Sequence, residues 1–93
     1  MEEETKVMWL IIEKLARMNR WGGSHTEITN LTKGLPLHYI RSNKGKRTIQ
    51  KAIKELIRRE FMLAKPSTGE FHVSLNPKKA KEIMQFYEQH KKL

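Results

Sequence analysis

The sequence predicts a mainly α domain of the α+β class: a three-helix core, a two-stranded β-hairpin and an extra C-terminal helix. Three observations predict it. In GKRTIQKAIKELIRREF, residues 45–61, an apolar residue returns every three or four positions, the spacing of an amphipathic helix. After Phe61 the period falls to two: Phe71, Val73 and Leu75 alternate with His72 and Ser74, as in a strand with one buried and one wet face. Asn76-Pro77 then restarts a helix, Asn as N-cap and Pro in the first position. With 93 residues, the chain is read as one domain spanning 1–93, with a core over 5–76 and the last helix over 77–92.

The first helix is expected over about 3–18, opened by the acidic MEEE that suits a helix N-terminus. Val7, Met8, Ile11, Leu15 and Met18 form one apolar stripe, and Trp9, Ile12 and Ala16 a second on another side. A surface helix needs one buried face. Two faces predict a helix sandwiched by another helix of the chain or by a second subunit. NRWGGS at 19–24 stops it through its paired glycines. Ser24 is then the N-cap of a short second helix over 25–33, with Glu27 at the capping-box spacing and Ile28 and Leu31 facing inward.

Gly34 and Pro36 end that helix, and LPLHYIRSNK at 35–44 has no clear period. Leu35, Leu37 and Ile40 pin it to the core, as an extra helical turn or a short strand, and Asn43, Lys44 and Gly45 read as a turn. The third helix is the opening stretch, its apolar side made of Ile49, Ala52, Ile53, Leu56 and Ile57. MLAK, PSTG and EFHVSL supply strand, turn and strand. The last helix buries Ala80, Ile83, Met84, Tyr87 and Phe86.

Charge narrows the function. Nineteen Lys and Arg against ten acidic residues give a formal charge of +9, which favours a polyanionic partner. Without Cys, disulfides and Cys-based zinc sites are excluded; without Asp, most paired-carboxylate chemistry goes too. The longest apolar run, VMWLII, is far too short to span a membrane and lacks the flanks of a secretion signal. The expectation is a soluble, cytoplasmic protein.

The charge is also organised. Arg47, Lys51, Lys54 and Arg58 stand opposite the apolar side of the third helix, within an arc of roughly 60° at about 100° per residue. Thr48 and Gln50 flank them. A merely solvated helix face usually mixes signs to gain i,i+4 pairs. Here Glu55 and Glu60 are the acidic residues, and Glu55 lies off the stripe.

The stretch TIQKAIKELIRREFMLAKPSTGEFHVSLNP resembles the recognition helix and wing of winged helix-turn-helix domains. The family pattern is a helix ending in Leu-x-x-(Arg/Lys) and an aromatic or Gly-hydrophobic run, followed by a two-stranded wing. Leu56, Arg58–Arg59, Phe61–Leu63, Lys65, Gly69 and Val73–Leu75 fill those positions. More narrowly, GGSHTEITNL with KAIKELI and FHVSLNP resembles a small archaeal winged-helix family of unassigned activity. The chain departs from the pattern twice. The connection between the second and third helices exceeds the usual few residues, and the wing is short, with Lys65 as its flanking cation.

The resemblance implies sequence-specific binding of double-stranded DNA, with the third helix in the major groove, and a transcriptional regulator. Arg47 pairs bidentately with guanine and Gln50 with adenine. Lys51 and Lys54 suit phosphates or nearby base edges, and Arg58 phosphate or solvent. Arg41, Lys44 and Lys46 enlarge the positive patch just before the helix. Backbone N–H groups around His25 and Thr26, at the expected start of the second helix, hold a phosphate. The alternatives are a winged-helix protein-interaction module within a larger assembly, or RNA binding. A homodimer through the first and last helices is one use of their apolar faces; folding of the last helix onto the first is the other.

His25, His38, His72 and His90 show no metal-ligand spacing. Ser24-His25 is not a nucleophile pair, because neighbouring side chains diverge and there is no Asp to orient the ring. Trp9 and Trp21 read as core or interface anchors. No phosphate-binding loop or dinucleotide fingerprint is present. No enzyme, cofactor or metal is expected.

Overall fold

The computed structural model describes residues 2–91, so the last residue of the expected C-terminal helix, Lys92, lies outside it. The elements are α1 (Glu2–Arg17), β1 (Thr26–Glu27), α2 (Ile28–Thr32), α3 (Leu37–Ile40), α4 (Asn43–Arg58), β2 (Met62–Ser67), β3 (Glu70–Leu75), a 3₁₀ turn (Pro77–Lys79) and α5 (Ala80–His90). The strands form one antiparallel sheet in the order β1-β3-β2. The molecule is thus mostly helical, with a small three-stranded sheet that includes a hairpin. Among the described residues, no helix is long and apolar enough to cross a membrane.

α1 is the centre of the core. Its first stripe buries Val7, Met8, Ile11 and Leu15 against Ile49, Ala52 and Leu56 of α4, with Leu31, Tyr39 and Val73 in the same cluster. Its second stripe is covered by α5. Trp9 stacks on Tyr87 with ring centroids 5.0 Å apart, and the Trp9 indole N–H donates to the Tyr87 carbonyl at 2.9 Å. Such a pair contributes about 0.5–1.5 kcal/mol beyond its buried area. The two-faced helix is therefore sandwiched within the chain. On α5, Ile83 and Phe86 are buried, whereas Met84, expected inside, is 45% exposed.

Four local expectations are corrected. α1 ends before the glycines: Asn19 takes a left-handed conformation (φ 56°), and the Arg20 N–H reaches back to the Leu15 carbonyl at 2.9 Å, a Schellman-type cap in which Asn replaces the usual Gly. Ser24 does not cap a helix. Thr26 and Glu27 pair with Val73 and His72 as an edge strand, and α2 starts at Ile28. Asn43, Lys44 and Gly45 are not a turn but the first turn of α4, because the Ser42 hydroxyl accepts from the Gly45 N–H at 2.9 Å and so caps the helix two residues early.

The alternation in β3 fails at both ends. Phe71 is 54% exposed. Ser74 is buried on the expected wet face, where its hydroxyl donates to the Gly22 carbonyl at 2.8 Å. The segment after α1 covers that face, held by the Gly22 N–H to Leu75 and the Leu75 N–H to Arg20. The expected extra turn in the long connection is α3. Asn76 caps the final helical segment as the sequence indicates: its side chain accepts from the Lys78 N–H at 3.1 Å and donates to the Glu60 carbonyl at 2.9 Å.

Candidate nucleic-acid interface

Packing of Ile49, Ala52 and Leu56 onto α1 turns the opposite side of α4 outward. Lys44, Lys46, Arg47, Lys51 and Lys54 are all exposed. Among the described residues, none of these five has a carboxylate within ion-pair distance. Arg47 to Lys54 spans about 10 Å along the helix axis, and Gln50 stands exposed beside them. Arg41 is the exposed C-cap of α3, just ahead of α4. Thr48 is half-buried, its hydroxyl engaged with the Lys44 carbonyl at 3.0 Å. Six candidates thus stand on the outward side of α4, Lys44, Lys46, Arg47, Gln50, Lys51 and Lys54, and Arg41 precedes them at the end of α3.

The other candidates part from them. Arg58 is tied along the helix, its Nε donating to Glu55 at 2.8 Å, while the Arg59 Nε donates to the same carboxylate at 2.7 Å. Arg58 first, then Arg59, holds the Glu55 carboxyl down at about 2, so both guanidinium groups are engaged with a carboxylate and the trio of two Arg and one Glu presents one net positive charge. His25 and Thr26 are not at a helix start. Thr26 is buried in β1 opposite Val73, so its N–H cannot serve as a helix-terminal phosphate donor. Lys65 pairs with His72, one residue out of step with the Ala64–Val73 pair that faces α4. Alternation therefore places it on the far face of the sheet.

Two neighbours shape the stripe. On one flank, Glu3 and Glu4 of α1 border a shallow cavity of about 100 Å³ with Lys44, Arg47, Thr48 and Lys51. Glu3 also accepts a hydrogen bond from the Tyr39 hydroxyl, which, with burial as the larger cause, pushes that phenol up to about 12. On the other flank lies an apolar groove that the sequence did not disclose. One part, about 500 Å³, has Ile28, Thr32, Ile40, Ile49 and Ile53 as its walls and Lys46 and Gln50 on its rim. A second part of about 500 Å³ continues past Ile28 and Ile53 to Ile57, Ala64 and Phe71, rimmed by Gln50 and Lys54. Ile57 sits at the edge of the apolar arc of α4, which was its one signal; period two could not separate an outlying Phe71 from a core one.

The structure also joins residues that sequence spacing kept apart. His25 and His72 meet with their Nδ1 atoms 2.8 Å apart. Beside them Glu27 and Glu70 come together, and the Glu27 carboxylate raises the Glu70 carboxyl by hydrogen bonding and like charge. His38 and His90 stay apart from this group, packed on Tyr39 and Phe86.

Comparison with protein-family models, with curated proteins and with solved structures finds no match for this chain.

Proposed function

We propose that this chain is a winged helix-turn-helix domain that binds double-stranded DNA by laying α4 in the major groove. The observation that carries the reading is the row of exposed cations on α4, which among the described residues are free of ion pairs. The fold supports it: helices followed by a hairpin, with the sheet packed beside α4, is the order on which the resemblance rests. A major groove about 12 Å wide admits one helix. Arg47 and Gln50 lie in its first two turns, where base edges are read, and Lys44, Lys46, Lys51 and Lys54 surround them for phosphates. The far-face position of Lys65 leaves the hairpin without a cation beside the stripe, so α4 carries the contact.

A protein-docking module is the second reading, favoured by the apolar groove along α4. A two-fold dimer would use what α5 leaves uncovered, Met84 included, because Tyr87 and α5 already cover the second stripe of α1; light scattering decides it.

The test is retention on duplex DNA across a salt series. Removing a cation that neutralises one phosphate flattens the log–log slope by about 0.9, so Lys51→Ala/Lys54→Ala, which takes away two phosphate contacts, reduces it by about 2. Equal retention of single strands or RNA replaces duplex DNA with those ligands. No retention at low salt rejects nucleic acid and leaves the docking module.

A further inference from the structure

The face of the sheet turned away from α4 gathers lone-pair donors in an otherwise strongly basic chain. Glu27 on β1 stands directly opposite His72 on β3, and Glu70 lies two residues from His72 on the same face. One oxygen from each carboxylate and a ring nitrogen of His72 lie within 4.8 Å of one another. His25, two residues before Glu27, places its Nδ1 at 2.8 Å from the Nδ1 of His72. That contact requires one ring to donate and the other to accept. With Nδ1 of His72 engaged, Nε2 is the nitrogen left for another partner.

We propose that Glu27, Glu70 and His72 bind a divalent transition-metal ion of the Zn²⁺ class, with His25 orienting the His72 ring, so that the ion ties β1 to β3. Imidazole with two carboxylates suits Zn²⁺, which takes N and O ligands, better than Mg²⁺ or Ca²⁺, which prefer oxygen alone. Two carboxylates brought together on neighbouring strands repel each other, and a cation between them reverses that cost. His72 donating its Nδ1–H to His25 fixes the tautomer that leaves the Nε2 lone pair free, the usual outer-shell arrangement of a metal-bound histidine. Lys65 on β2, the cross-strand partner of His72 on β3, is exposed and can turn its ammonium into solvent. The site is remote from the basic stripe, so it stands or falls independently of DNA binding.

The experiment is calorimetric titration of metal-free protein with ZnCl₂, alongside the thermal unfolding midpoint with and without the ion. The expected result is one saturable ion per chain and a raised midpoint, with neither effect from MgCl₂. Glu70 is exposed, so Glu70→Gln keeps the fold and removes the binding; His72→Ala does the same. His25→Ala weakens binding about 10- to 100-fold, the range for an outer-shell partner. His38→Ala/His90→Ala leaves it unchanged. Absence of saturable binding to the wild-type chain overturns the proposal, as does binding that survives both Glu70→Gln and His72→Ala.

Discussion

Replacement of Gly45 by Ala tests how α4 is seated. In an ordinary helix interior Gly→Ala gains about 1 kcal/mol. Here a Cβ built on Gly45 would lie 2.3 Å from the Tyr39 carbonyl oxygen, 2.4 Å from its Cα and 2.7 Å from its carbonyl carbon, where ordinary contact begins at 3.4 Å. These are backbone atoms and cannot rotate aside. α3 would have to withdraw by about 1 Å, taking the buried Tyr39 with it. Overpacking costs about 1–3 kcal/mol, and a rigid obstacle places this case at the upper end. Less the helix gain, the net loss is about 2 kcal/mol. At about 4–8 °C per kcal/mol for a domain of this size, the unfolding midpoint drops by about 8–16 °C. Circular dichroism melts of Gly45→Ala and Gly23→Ala are the assay. Gly23 has nothing within 4 Å of the added carbon, so its variant stays within about 0.5 kcal/mol of wild type. A Gly45→Ala melt at or above wild type would refute the close approach of α3 to α4.

Glu55 titrates far below an ordinary carboxylate, at about 2, because Arg58 and Arg59 hydrogen-bond its charged form. A depressed carboxyl contributes stability above its ordinary value of 4.5, and that stability is lost as pH falls through about 2. NMR titration of the Glu55 side chain checks the midpoint, and Arg58→Ala moves it up towards the ordinary value. Asn76→Ala removes the cap at Lys78 and the donor to Glu60 together. The loss is about 2 kcal/mol from cap and orphaned carbonyl, read as a shift in the urea midpoint at unchanged slope.

The elements legible in the sequence were those with a long, strong period. α4 showed its packing side and its cationic side at once, because sixteen residues sample the helical wheel more than four times over. Its start was misplaced by two residues, since Gly45 looks like a turn residue when its role is a close approach, a long-range fact. β1 was invisible. Two residues carry no period, and Thr26 and Glu27 are strand only because β3 offers an edge. The same pairing brought together His25 and His72, 47 residues apart. No spacing rule reaches that far, and the histidine group could only be seen folded.

The cationic stripe and the apolar groove are not redundant. Phe71 is about half exposed, and a Phe offers roughly 150–250 Å². Covering the remainder is worth about 2–3 kcal/mol at about 25 cal/mol per Å². Duplex DNA presents polar edges with thymine methyls as its apolar groups, a poor cover for a groove that also includes Ile53 and Ile57. The duplex of the proposed reading would therefore take the stripe and leave the groove open, and the groove is what favours the second, protein-docking reading. Lys46, Gln50 and Lys54, at i, i+4 and i+8 along α4, form the shared border: they rim the groove and flank the stripe. A ligand seated deeply in one draws these side chains away from the other. Under the two proposed readings, a duplex and a protein segment would compete for α4 through that single row, with no movement of the backbone required.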